Sequence, residues 1–140
     1  MGVRLGASIR WSMVGLALTL GVLFVVAGVL KPSPEGFGTH TQLGLPPCHF
    51  ALLTGHRCPS CGMTTAFAWF VRGRFARSWG SNPAGLLLAS ACAALAPWLL
   101  AGAALGKTPG FRSLEQPLLG VVVATVAVSL VSWTIRLVFG

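Results

Sequence analysis

Uncharged apolar runs alternate along this chain with short polar segments that carry the cations, and three of the runs are long. The first spans Trp11 to Leu30, between Arg10 and Lys31. The second lies between Arg77 and Lys107; Asn82 is a helix-capping residue type and Pro83 suits a first helical position, so its helix is expected over 82–105. The third runs from Gln116 to Ile135, between Glu115 and Arg136, with Pro117 near its start. A helix needs about 20 apolar residues to cross a hydrocarbon core, and each run has that length. Trp11, Trp79 and Trp133 fall near run ends, where indole rings settle at the headgroup level. The expected fold is an all-α membrane protein of three transmembrane helices, one membrane domain over 1–140, with 31–81 joining the first two spans.

Within that connection the first half, KPSPEGFGTHTQLGLPPCHF, is rich in Pro and Gly and shows no sustained helical period. The second half predicts a short helix from Pro59 to about Arg72. Met63, Ala66, Phe67, Phe70 and Val71 recur at the spacing of one helical face. Such a helix is too short to span. Trp69, Phe75 and Trp79 beside Arg72, Arg74 and Arg77 place it in the interface or in a shallow re-entrant position, the arginines meeting headgroups.

In the second span Pro97 removes a backbone hydrogen bond and is expected to kink the helix. Small residues from Ala84 to Ala96, and a Gly102–Gly106 pair, permit close helix approach. Packing within the chain is the favoured use of that surface over a dimer face. Cys92, mid-span, reads as a small buried apolar residue.

Composition supports the membrane. Hydrophobic residues make up 54% of the 140 and charged residues 9%, with a mean hydropathy of +0.79. A soluble domain carries about a quarter charged residues, so these values exclude one, and they exclude intrinsic disorder as well. Ten Lys and Arg against two acids give a net charge of +8. The cations flank apolar runs, as lipid contact and orientation require, and no basic stripe with stacking aromatics points to nucleic acid. Glu35 and Glu115 alone do not support paired-carboxylate chemistry.

A basic segment precedes the first run, yet the run exceeds a signal peptide's apolar region and no A-x-A site follows, so an uncleaved anchor is expected. With the N-terminus inside, Arg4, Arg10, Lys107 and Arg112 face the cytoplasm; Lys31, Arg57, Arg72, Arg74, Arg77 and Arg136 lie outside. The raw count prefers the reverse. The dominance of the first helix favours a cytoplasmic N-terminus, with the long loop outside the inner (plasma) membrane.

Chemistry concentrates in that loop. It holds Cys48, Cys58 and Cys61 and all three histidines, His40, His49 and His56. Cys58-Pro59-Ser60-Cys61 would open the short helix with Cys58 at its N-cap, where amides and the helix dipole lower a thiol pKa. Three uses remain open. The cysteines can form a structural clasp or a partner-interaction site. Cys58 and Cys61 can form a thiol–disulfide redox pair, with Cys48 as a further resolving thiol. Alternatively Cys58 and Cys61, with Cys48 or His56, can bind zinc, the one cofactor these donors would take. No thioredoxin-like scaffold accompanies the CxxC, and Gly62 stands where a haem-attachment motif needs His. Thr64 and Thr65 either face the cysteines or bond back to their own helix.

The run CPSCGMTTAFAWFVRGRFARSWGSNPAG, with Pro47-Cys48, Phe50 and Thr54-Gly55 upstream, resembles the domain of unknown function 2752 family of small bacterial membrane proteins. The resemblance covers about Pro46 to Gly85. It implies an integral membrane protein and marks Cys48, Cys58, Pro59, Cys61, Gly62, Thr64, Thr65, Asn82 and Pro83 as motif positions, without implying an activity. The expected function is accordingly a small membrane protein with a Cys-rich clasp or interaction site, facing lipid and a membrane-protein partner, and not primarily an enzyme.

Overall fold

Apolar runs bounded by cations become the three longest helices. The structure, a computed structural model, describes residues 4–108, 110, 113 and 115–139. Helix α1 is Ala7–Val29; α2, His49–Thr54; α3, Met63–Phe70; α4, Phe75–Ser81; α5, Pro83–Leu105; and α6, Glu115–Phe139. Helices α1, α5 and α6 are each long and apolar enough to cross a membrane. A 3-10 turn, Thr39–Leu43, lies in the Pro/Gly-rich half of the long loop. No strand occurs among the described residues beyond one isolated bridge, Arg4 to Lys107.

Hydrogen bonds between the ends order the three spans. The backbone of Leu5 donates to Gly106 O at 2.9 Å, and Arg10 Nε donates to Ala103 O at 2.7 Å. The start of α1 therefore meets the end of α5. Arg10 lies inside α1 rather than before it, because its side chain satisfies a carbonyl that α5 leaves open in its last turn. At the other end, Trp133 Nε1 of α6 donates to Arg57 O at 2.8 Å. The cysteine loop thus shares one end of the bundle with the end of α6.

The core forms where α1, α3 and α5 meet. Met13, Ala17, Leu20 and Ala27 of α1 pack with Phe67 of α3 and Ala89, Cys92, Leu99 and Ala103 of α5. Phe24 sits 6.0 Å, centroid to centroid, from both Phe67 and Phe70. The apolar stripe of α3 is therefore used as the periodicity requires, but against protein. Thr65, Ala66, Phe67 and Ala68 are buried, so α3 is held between span ends instead of lying on headgroups. A Cβ on Gly85 would come 2.7 Å from Ala66 Cβ, so only glycine lets α5 approach α3 this closely. Outward faces of α1 and α6 expose Leu18, Val22, Val25, Leu119, Val122 and Val126, the surface a bilayer covers.

Several expectations are corrected. The short helix starts at Met63, four residues after Pro59. Cys61 N bonds back to Cys58 O at 3.0 Å, and Gly62 takes φ 86° as the N-cap, so the CPSC segment is a turn leading into the helix. The loop also contains α2 and α4, helices of six and seven residues, too short for periodicity to reveal. Pro97 stands within α5, which ends at Leu105. Gly106 is a left-handed C-cap, φ 64°, whose N–H returns to Gly102 O. The Gly102–Gly106 pair is therefore joined by the bond that closes the last turn of α5. Arg72 does not reach out to headgroups. Its guanidinium donates to Ala68 O at 2.7 Å, to Gly28 O and Leu30 O at 2.9 Å each, and to Ala27 O at 3.3 Å. It caps the C-terminal end of α1, where the open carbonyls favour a cation. Arg112, counted for orientation, lies outside the described residues.

Candidate metal centre

The turn that carries two of the cysteines is fixed by its carbonyls. Asn82, 1% exposed, accepts from Gly85 N with Oδ1 at 3.0 Å, capping α5. Its Nδ2 donates to Pro59 O at 3.1 Å and to Cys61 O at 3.0 Å. Ser129 Oγ of α6 also donates to Pro59 O, at 3.0 Å. Side chains from α5 and α6 thus hold three successive odd-numbered carbonyls, counting that of Arg57 under Trp133. This is the physical content of the Asn-Pro element of the motif: one amide starts a span and clamps the turn.

Gly62 completes the clamp. A Cβ there would lie 2.5 Å from Gly36 O and 2.7 Å from Ser81 O, at a φ that L side chains rarely adopt. Thr65 is fully buried and shares a 2.7 Å hydroxyl–hydroxyl bond with Thr39, whose Oγ1 also accepts from Ser33 N. It ties α3 to the 3-10 turn instead of bonding back along its own helix. Ser78 Oγ of α4 donates to Ala66 O at 2.7 Å. Among the described residues, no buried side-chain nitrogen or oxygen lacks a partner.

Cys48 arrives from the other side of the loop, at the N-cap position of α2. The Sγ atoms of Cys48, Cys58 and Cys61 all lie within 4.8 Å of one another. All three are free thiols, Cys61 buried and the others half-buried. They line a cleft of about 390 Å³ together with His40, Ser60, Gly62 and Thr64. Thiolates around a tetrahedral ion with bonds of about 2.3 Å stand about 3.8 Å apart, so adjustments of about an ångström bring this trio onto one ion.

The thiols differ in character. A backbone hydrogen bond from Ala51 holds the Cys48 thiol below its ordinary value, with the Cys58 thiol adding to the effect. Burial, reinforced by the Cys58 side chain, pushes Cys61 up to about 12. The helix-start position expected for Cys58 belongs to Cys48. Cys48 is thereby the thiol that ionises more readily, and buried Cys61 stays protonated at neutral pH.

The histidines separate. His56 is exposed, its Nδ1 sharing a 2.9 Å bond with Thr54 O, and the structure does not bring it into the thiol cluster. His49 is exposed on α2. His40 is the histidine of the cleft wall, with Nε2 3.2 Å from Pro46 O. Sequence reasoning placed all three in one loop and singled out His56 as the candidate ligand; the structure sets His40, from the 3-10 turn bounded by left-handed Gly38 and Gly44, in the cleft wall instead. Ser129 and Trp133 were missed as supports of the turn, because nothing local in α6 signals a contact 70 or more residues away.

Residues 48–96 match the model of a family described as a protein of unknown function, DUF2752. The match begins at Cys48, includes the CPSC turn, and ends in the middle of α5. Searches of curated proteins and of solved structures give no match.

Proposed function

We propose that this chain, a member of the DUF2752 family through residues 48–96, uses Cys48, Cys58 and Cys61 to hold a zinc ion that clasps its long loop onto the span ends. The observation that carries this reading is the third thiol. A redox pair needs two sulfurs, whereas here three converge within 4.8 Å from two separate stretches of the loop. Three thiolates suit a soft or borderline ion, and zinc accepts them in a tetrahedral set. His40 lines the same cleft but stands outside the sulfur cluster, its Nε2 bonded to Pro46 O, so the three thiolates are the protein ligands and the fourth position is open to a nitrogen or oxygen donor.

The clasp joins the segment before α2 to the turn before α3, and so fixes α2 at the membrane surface. Phe50, Leu52 and Leu53 are exposed there, an apolar ridge for lipid or for a membrane-protein partner. The N-terminus faces the cytoplasm of the inner (plasma) membrane and the cleft opens outside. Free thiols oxidise on that face, and a bound ion keeps them as thiolates.

Metal analysis of protein purified in mild detergent tests this reading. About one zinc per chain is expected, falling severalfold in Cys58→Ser and in Cys61→Ser. Wild-type protein with well below one ion per chain would remove the zinc site.

A second reading rests on the contrast between Cys48 and Cys61, a lowered thiol beside a raised one. In it the Cys48 thiolate attacks a partner's disulfide, expelling one partner thiolate. Cys61 or Cys58 then attacks the mixed disulfide, leaving the chain oxidised and the partner reduced. The double variant Cys58→Ser/Cys61→Ser would then accumulate a mixed disulfide on Cys48, which the zinc reading does not produce.

A further inference from the structure

Away from the thiol cleft, an apolar groove of about 550 Å³ opens between α4, the start of α5 and the C-terminal half of α6. Ala127, Val128 and Val131 form its wall along α6, an open one in which Ala127 and Val131 are exposed, and Trp79 and Arg136 stand at its mouth. No carboxylate lines it among the described residues. Ala127 and Ile135 both border the groove, and the eight-residue step from one to the other gives it a length of about 12 Å along the helix. It runs with the lipid chains, because α6 is a spanning helix.

The mouth is cationic. Arg136 donates to Ser81 O at 3.3 Å, and a guanidinium carries five N–H donors, so this bond leaves most of the fork for another acceptor. Arg57, whose carbonyl is held by Trp133 one helical turn earlier, is near enough for its charge to act on Arg136. Arg136 borders a groove with no carboxylate in its lining, and the charge of Arg57, whose guanidinium stacks on Phe37 outside that lining, adds to its own; together they call for an anion. Trp79 is 59% exposed beside them, an indole placed as interfacial anchors are.

We propose that this groove is a site for one anionic phospholipid, with an acyl chain along α6 and its phosphate on Arg136. An apolar wall about 12 Å long on a spanning helix takes part of a lipid tail, and the arginine at the mouth selects negative charge. The inference does not use the zinc clasp, and Arg136 lies within electrostatic reach of the clasp residue Cys61.

Native mass spectrometry of the full chain in detergent, with equal phosphatidylglycerol and phosphatidylcholine of the same acyl chains, reads this site. Wild type is expected to retain one phosphatidylglycerol about fivefold over phosphatidylcholine, what one basic side chain near an anionic headgroup provides. Arg136→Gln should bring the ratio to about one while retaining the fold. Val131→Trp should reduce retention of both lipids, and Val123→Trp, elsewhere on exposed α6, should not. An unchanged ratio in Arg136→Gln would overturn the proposal, as would equal retention by Val131→Trp and wild type. So would a dimer cross-linked through Val131→Cys, which would make a second copy the occupant.

Discussion

Asn82 concentrates the chemistry of the turn in one side chain. Its oxygen serves α5 and its nitrogen serves the CPSC turn, so the two duties can be separated by substitution. Asn82→Asp keeps an acceptor for Gly85 N but sets a carboxylate against two carbonyl oxygens. Losing two buried hydrogen bonds and leaving their acceptors unpaired costs about 2–4 kcal/mol. The variant is expected to keep its helical circular dichroism, to melt at a lower temperature in detergent, and to lose zinc. Unchanged melting and metal content would deny Asn82 its role. Cysteine reactivity offers a second test at this scale. In chelator-stripped protein at neutral pH, a maleimide should modify Cys48 well before Cys61, because the thiolate is the reacting form and burial holds Cys61 protonated. Peptide mapping of a timed reaction reads the order, and equal rates would remove the contrast.

Among the elements, the long spans were legible because twenty uncharged residues have few solutions other than a membrane helix. The CPSC turn was read as the first turn of a helix because Pro59 is an acceptable first helical residue. Gly62 at φ 86° overrides that local preference, since two carbonyls crowd the space a side chain would need. Helices α2 and α4 stayed hidden for a different reason: neither has a period long enough to read, and α4 is held by a tertiary contact, Ser78 to Ala66 O. Arg72 shows the same limit. A basic residue next to aromatics suggested headgroups, yet its four carbonyl acceptors lie on α1 and α3. Arg72→Gln should free the end of α1 and destabilise the protein by about 1–3 kcal/mol. Arg74→Gln, at an exposed position in the same stretch, should change stability much less. Thermal melts of the two variants side by side decide it, and equal shifts would contradict the capping role.

Over the whole molecule, the three spans alternate in direction, which puts the segment before α1 at one end and the thiol cleft with the end of α6 at the other. Reporter fusions at the two chain ends should therefore label opposite faces of the membrane, and an epitope placed after Phe139 should share the face of Cys48. Fusions reporting the same face would contradict the three-span path. The clustering of cysteines and histidines was visible in the sequence as a concentration of reactive residues in one loop. Which of them meet was not visible, because the meeting depends on contacts from α5 and α6 that reach back across the chain to Arg57, Pro59 and Cys61.

The central claim is that three sulfurs of this loop share one ion. Zinc K-edge X-ray absorption of the purified, detergent-solubilised protein counts those sulfurs directly. The account predicts a shell of three sulfur scatterers at about 2.3 Å and one nitrogen or oxygen at about 2.0–2.2 Å. A shell of nitrogen and oxygen alone, or protein that holds no zinc while its three loop thiols remain intact, would contradict it.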